Sequence, residues 1–360
     1  MTEFVESFGI YDLLVGISGT VSQKSLRNRW NSTGVGGGIW VEAGKGKRGQ
    51  PALVLGPGAS LARTLSHQSL WIIGYNINVS STAGVGGGKT LDMMNNGQPL
   101  CSLYVNVDGS LKVQANGNGP IIATSSPCLT AAVDAYLEIS ATLTTSGSDM
   151  NLAVECWVNG VSQCTGSGLI GRNVNTLTSQ TPTFNQLFIQ DGIGGSTGRC
   201  YISDMYLNNG SGATNLTKFG TVEIDAYPLP NGDDGVQWTP LGGSGSNFSE
   251  INENPADGNA SYVLANTVGK KDSYTWQDIV SFTGTVKSVQ ISYFARVDQE
   301  GVRAFQGTIG AGGTEAQTAS FGLSFNYLYY HQAFDLDPAT GLAWTRTGFN
   351  AKDFGISLVS

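Results

Sequence analysis

Residues 83–90, Ala-Gly-Val-Gly-Gly-Gly-Lys-Thr, match a loosened phosphate-loop pattern: a small residue, four of any type, then Gly-Lys-Thr. Such a loop cradles a nucleotide only when it leaves a buried strand and opens a helix. Backbone N–H groups and the helix N-terminus then face the phosphates. Upstream, Leu70–Val79 reads as a strand. Downstream, Asn95-Asn96-Gly97 and Pro99 break any helix within two turns, and Leu103–Gly109 alternates like a strand entering a turn. The magnesium carboxylate that phosphoryl chemistry requires should end a buried apolar strand. Its best candidate, Asp191, follows a run interrupted by Gln190. A similar string, Gly34-Val35-Gly36-Gly37-Gly38, has no lysine after it. The sequence therefore predicts a glycine loop between strands and no nucleotide cofactor.

A second candidate chemistry is glycoside hydrolysis. In Val222–Pro230, Glu223 and Asp225 share one face of an expected strand over 221–227. A retaining enzyme needs two carboxyls about 5 Å apart across the sugar. The glycanase strand pattern adds a third carboxylate, but here Tyr227 and Pro228 follow, and Asp233 and Asp234 lie beyond a loop. No Gly-x-Ser-x-Gly elbow occurs, and His67 and His331 are the only histidines. No catalytic residue is assigned. Sugar binding without hydrolysis would draw on Asp233, Asp234 and Trp238, with or without Ca²⁺. The competing expectation is that Trp238 caps a core and the acids shape turns. Asp337-Pro338-Ala339-Thr340-Gly341 reads as a rigid turn leading into Trp344, not as a metal loop.

All five cysteines lie between 101 and 200. Cys156 and Cys164 flank Asn159-Gly160, a two-residue hairpin turn. In that register Cys156 faces Gln163 and Glu155 faces Cys164, so the thiols point to opposite faces. Only a connection one residue longer would bring them together. Free thiols are the expectation, and with no Cys-x-x-Cys pair no metal site is assigned.

These residues need elements to hold them. The 360-residue chain has 50 glycines and 40% hydrophobic residues, the latter in short runs between turn signals. Many short strands and tight turns predict an all-β fold of antiparallel, jelly-roll-like sandwiches. Expected strands include 71–79, 103–107, 111–115, 136–143, 152–158, 184–189 and 201–207, then 221–227, 261–265, 286–295, 304–309 and 322–330. Residues 1–219 carry 12 basic and 12 acidic side chains, whereas 220–360 carry 7 and 15, so the net charge of −8 belongs to the second half. Asn208–Asn215 has the composition of a linker. Two domains follow, 1–218 and an acidic 219–360. The basic residues Lys24, Arg27, Arg29, Lys45, Lys47 and Arg48 are expected on solvated loops. The overall charge disfavours nucleic acid. No apolar stretch is long enough for a membrane helix, and Met1–Asp12 lacks signal-peptide character, so synthesis in a cytosol is expected.

Phe8–Asp12, Arg29-Trp30, the strand near Ile73–Asn78, Val107–Gly109 and Tyr201–Leu207 resemble phage and prophage proteins with a concanavalin-like, laminin-G-type jelly roll. Residues 238–244, 252–263, 268–279, 337–345 and 353–358 resemble the C-terminal module that follows such jelly rolls in tailed-phage structural proteins. The resemblance spans nearly the whole chain and brings no catalytic residues. It implies a non-enzymatic virion protein, either capsid decoration or an accessory fibre, made in the bacterial host cytoplasm and displayed on the particle exterior. Its partners would be other virion proteins and further copies of itself, with a trimer expected. The alternatives are a receptor adhesin that binds host-surface glycans and, third, a glycan hydrolase.

Overall fold

The structure is a computed structural model. It describes residues 1–6, 30, 32–34, 38–56, 58–80, 87–146, 149–170, 182–190, 199–212, 214–225, 230–243, 245–253, 256–280, 284–311 and 314–360. Phe8–Asp12, Lys24, Arg27, Arg29, Ala83–Gly86 and Asp191 fall outside this set. The fold is all-β, as the alternating pattern implies. Chain contacts divide it into two compact units, Glu3–Ile224 with Met1, and Asp225–Ser360 with Thr2.

The first unit is a sandwich of two antiparallel sheets. One runs in the order Val161–Ile170, Asp149–Val158, Ala135–Ser146, Leu70–Ser80, Arg199–Asn208, Ala52–Leu55 and Ile39–Glu42, with Thr2–Glu6 also pairing Arg199–Asn208. The other runs Ile121–Pro127, Ser110–Ala115, Gln98–Val105, Gly88–Asn95, Phe184–Gln190, Ser60–Gln68 and Ser32–Gly34. Period-two alternation sends Trp71, Ile73, Tyr75 and Ile77 from the first sheet inward against Leu103, Val105, Leu111 and Val113 from the second. Trp71 and Phe184 meet across the interior with ring centroids 5.5 Å apart.

Turn chemistry fixes the hairpins. Asn159 and Gly160 have φ of 50° and 81°, and Asn96 and Gly97 have 46° and 81°. Both central residues of a type I′ turn need positive φ, and the Asn-Gly pair tolerates it at low cost. The register beyond Asn159-Gly160 departs from the sequence expectation. Val158 faces Val161 and Trp157 faces Ser162, but a bulge then sets Cys156 opposite Cys164. One extra residue, Gln163, sits in the second strand, so both cysteines turn inward and are buried.

The expected linker is also not free. Asn208 ends a strand and is fully buried, and Asn209 is nearly so. Residues 216–224 lie on the outward face of the first sheet. There Phe219 and Val222 pack against Ile72, Tyr136 and Tyr206. The contact boundary thus falls after Ile224, beyond residue 218. The expected strand over 221–227 is absent from its described part, 221–225.

In the second unit a six-stranded sheet runs Pro230–Val236, Lys271–Trp276, Asp353–Leu358, Ala304–Ala311 and Thr314–Gln317, with Phe321–Gly322 also pairing Ala304–Ala311. The ribbon Val289–Ala295 with Leu328–Phe334 packs on it. Ile291, Ile309, Trp344 and Phe354 form the core between them, with Tyr293 and Phe334 at its margin. The expected strand over 322–330 begins only at Leu328.

Candidate functional site

Among the seven strands of the second sheet in the first unit, Asp92 is the only carboxylate. Its neighbours Leu91 and Met93 point into the core, which sends Asp92 to the outward face opposite Ser102 and Phe188. The carboxylate is nevertheless only 3% exposed. Its Oδ2 accepts from Lys89 Nζ at 3.1 Å and from Gln190 Nε2 at 2.8 Å, and its Oδ1 accepts from Ser102 Oγ. Beside this group the Tyr104 hydroxyl donates to Asn118 Oδ1 at 3.0 Å, and Lys112 Nζ lies 4.4 Å from the Tyr104 ring centroid. Burial raises the Tyr104 phenol above its ordinary value, against the lowering effect of the Lys89 charge. The patch offers hydrogen-bond donors and one aromatic face. It holds one carboxylate where glycoside hydrolysis needs two.

Lys89 therefore has a partner of its own, and the motif around it is not a phosphate loop. The chain enters the strand Gly88–Asn95 directly, where a phosphate loop would open a helix. A strand places successive N–H groups in the ladder with neighbouring strands, so they do not converge on an anion.

The second carboxylate candidate dissolves in the same way. Glu223 pairs with Arg48 at 3.2 Å, and Asp225 falls on the other side of the unit boundary. The two do not share a strand face, because residues 221–225 form no strand. Of the basic cluster, Lys45 lies 3.9 Å from Glu42 and the Lys47 backbone N–H donates to Ser203.

In the second unit Asp233 and Asp234 lie on the strand Pro230–Val236, not in a turn, and they bond residues distant in sequence. Asp233 accepts from Phe248 N at 2.7 Å, and Asp234 accepts from Ser273 Oγ at 3.0 Å. Nor does Trp238 cap the core. It is partly exposed, with its indole N–H donating to Lys270 O at 3.1 Å. Trp344 takes that place, 3% exposed, and donates to Phe334 O at 2.8 Å. Asp337 accepts from Ala339 N in the turn that leads there, and Lys352 Nζ approaches its carboxylate to 3.0 Å.

Sequence reasoning passed over three buried carboxylates that hold backbone. Asp272 accepts from Gln237 N and Trp238 N at 2.7 Å each, and from the Tyr274 hydroxyl at 2.9 Å. Asp204 accepts from Ile224 N at 2.8 Å, and burial raises its carboxyl above the ordinary value. Glu138 accepts from the Tyr206 hydroxyl and from Gly220 N. Glu138 and Asp204 lie on the sheet face that residues 216–224 cover, so local alternation did not mark either as buried.

A second surface lies on the two-stranded ribbon. Phe294 sits between Tyr327 and Tyr329, with centroids 4.8 and 4.6 Å away. Arg296 lies 5.2 Å from the Tyr327 centroid, and Asn259 Oδ1 accepts from the Tyr327 hydroxyl at 2.9 Å. All three rings are partly exposed. Among the described residues, no group of three His, Cys, Asp or Glu side chains could hold a metal ion. No helix among them is long and apolar enough to cross a membrane.

No family model matches the chain, and no curated protein matches it. Several solved structures do. The cellulose induced protein Cip1 is 14% identical over 52% of this chain and 89% of its own, at a TM-score of 0.36. The carbohydrate binding module CBM66 from Bacillus subtilis is 11% identical over 48% and 91%, at 0.30. The VIP36 exoplasmic/lumenal domain, in its Ca²⁺/Man3GlcNAc-bound form, is 12% identical over 44% and 78%, at 0.29. These are β-sandwich likenesses covering about half of this chain, too distant to carry an argument about activity or ligand.

Proposed function

We propose that the protein is a non-enzymatic structural component of a tailed-bacteriophage particle, carried on its exterior as capsid decoration or an accessory fibre. The sequence resemblance motivates the reading. The observation that carries its non-enzymatic part is the employment of the buried carboxylates. Asp92, Glu138, Asp204, Asp272 and Asp337 each accept hydrogen bonds that hold strands or loops in place. Carboxylates engaged in this way support a rigid scaffold. The acidic second half suits the solvent-facing side of a particle, because like charges pressed together in a desolvated contact repel strongly. The first unit is then the docking side, and a closed trimer the expected assembly.

Quantitative mass spectrometry of purified particles tests this. The protein should co-purify with them in a fixed ratio to the major capsid protein. A ratio matching the capsid lattice places it on the head, and one matching the tail's symmetry places it there. Absence from intact particles overturns the proposal.

A second reading, recognition of host-surface glycans, is favoured by the partly exposed stack of Phe294, Tyr327 and Tyr329 with Arg296 and Asn259. Aromatic faces bind sugar C–H groups, while Arg and Asn serve hydroxyls. Binding of the full chain to a glycan array, lost in Tyr329→Ala, is the result this reading expects.

A further inference from the structure

Four of the five cysteines are buried, and two of them face one another across a hairpin. The bulge at Gln163 is what aligns them. Without it Cys164 would project from the opposite face, as strict alternation requires. Cys156 lies on the inward side of Asp149–Val158 with no exposure, whereas Cys164 is 8% exposed on the edge strand Val161–Ile170. The strand ladder sets Cys156 and Cys164 directly opposite one another. We propose that this pair is a disulfide site: the folded chain forms a Cys156–Cys164 cross-strand bond when it meets a low-molecular-weight disulfide such as oxidised glutathione.

The order of events follows from access and acidity. Interaction with the Cys156 thiol lowers the Cys164 thiol below its ordinary value, against the opposing effect of burial. That same interaction, with burial, raises Cys156 well above its own. Cys164 is thus the first nucleophile, because the thiolate is the attacking species. Its sulfur attacks one sulfur of the oxidant, forming a mixed disulfide and expelling one thiolate. Cys156 then gives its proton to that leaving thiolate and attacks the Cys164 sulfur, expelling a second small thiolate that takes from solvent the proton Cys164 had given up. One small disulfide is reduced to two thiols, and two protein thiols are oxidised to one disulfide. The bond ties the edge strand to its neighbour just beyond the bulge, where the ladder is interrupted. A particle released from a reducing cytosol would meet such an oxidant, but the chemistry does not depend on where the protein works.

The full-length chain, purified reduced, is incubated with oxidised glutathione, quenched with an alkylating agent and mapped without reduction. The expected product is a Cys156–Cys164 peptide pair lighter by two hydrogens, with the other three cysteines alkylated on unfolding. Amide exchange in Val161–Ile170 should slow. Cys156→Ser should stall as a glutathione adduct on Cys164. Cys164→Ser should leave Cys156 unreactive while the protein is folded. A persistent adduct on Cys164 of the unmodified chain, a Cys128–Cys164 pair, or no reaction of the folded chain would each overturn the proposal.

Discussion

The Tyr206 hydroxyl donates to Glu138 Oε1 at 2.6 Å across the intervening strand, and both side chains are fully buried. Gly74 on that strand makes the reach possible, because a Cβ there would collide with the Tyr206 ring. The pair then captures backbone. Phe219 N donates to the Tyr206 oxygen at 3.0 Å and Gly220 N to Glu138 at 2.9 Å, while Lys218 Nζ stands 3.9 Å from the carboxylate. Burial, with the nearby Glu138 charge, raises the Tyr206 phenol far above its ordinary value, so it remains a donor throughout the stable pH range.

Tyr206→Phe removes the donor to a buried carboxylate and the acceptor for Phe219 N. The expected loss is about 2–3 kcal/mol in urea unfolding. Gly74→Ala acts on the same pair by displacing the ring, at a cost of about 1–3 kcal/mol. Because the two changes share one contact, the double variant should lose less than the sum. Full additivity would mean that the sheet face does not work as one group.

The captured segment also sets where the chain can be cut. Proteolysis needs backbone that can leave its contacts. Residues 216–224 are held by Phe219, Val222 and the Ile224–Asp204 hydrogen bond. Mass spectrometry after brief protease treatment should therefore find an N-terminal fragment extending to Ile224 or beyond. A first fragment ending between 208 and 218 would show that the segment detaches readily.

Asp337 and Lys352 form a buried ion pair at 3.0 Å. Burial by itself would raise the Asp337 carboxyl, but the bonds from Lys352 and the Ala339 N–H hold it below its ordinary value. A carboxyl depressed on folding adds stability above its unfolded value, near pH 3.9. That contribution is lost as pH falls through the lower folded value. The difference in unfolding free energy between the unmodified protein and Asp337→Asn should shrink as pH drops below about 4. At neutral pH, Lys352→Met strands a buried carboxylate and should cost about 3–5 kcal/mol. A flat pH difference would show that the pair contributes nothing through ionisation.

For residues 83–90, calorimetry with ATP or GTP and Mg²⁺ should give no heat of binding. Lys89→Ala should change only stability, by about 1–2 kcal/mol, because Asp92 keeps its bonds from Gln190 and Ser102. Nucleotide binding that disappears in Lys89→Ala would restore the phosphate-loop reading.

The amino-acid sequence by itself determined the class of fold and seven of the first unit's fifteen strands. Alternation states which side chains share a face, and Asn159-Gly160 states where the chain turns, since both are local properties. It also denied residues 83–90 the helix that a phosphate loop opens, because Asn95-Asn96-Gly97 breaks one, and Gly88–Asn95 is a strand. Only the tertiary structure decided the rest. Glu138 and Tyr206 are 68 residues apart, and nothing local marks either as the partner of the other. Trp238 and Trp344 are alike in composition of context, yet one is partly exposed and the other buried, because burial depends on which sheet face packs above. The bulge at Gln163 changed a face assignment with no change in local pattern. A strand's two faces are set by counting residues, and whether one residue is skipped depends on how the ladder fits its neighbours in three dimensions.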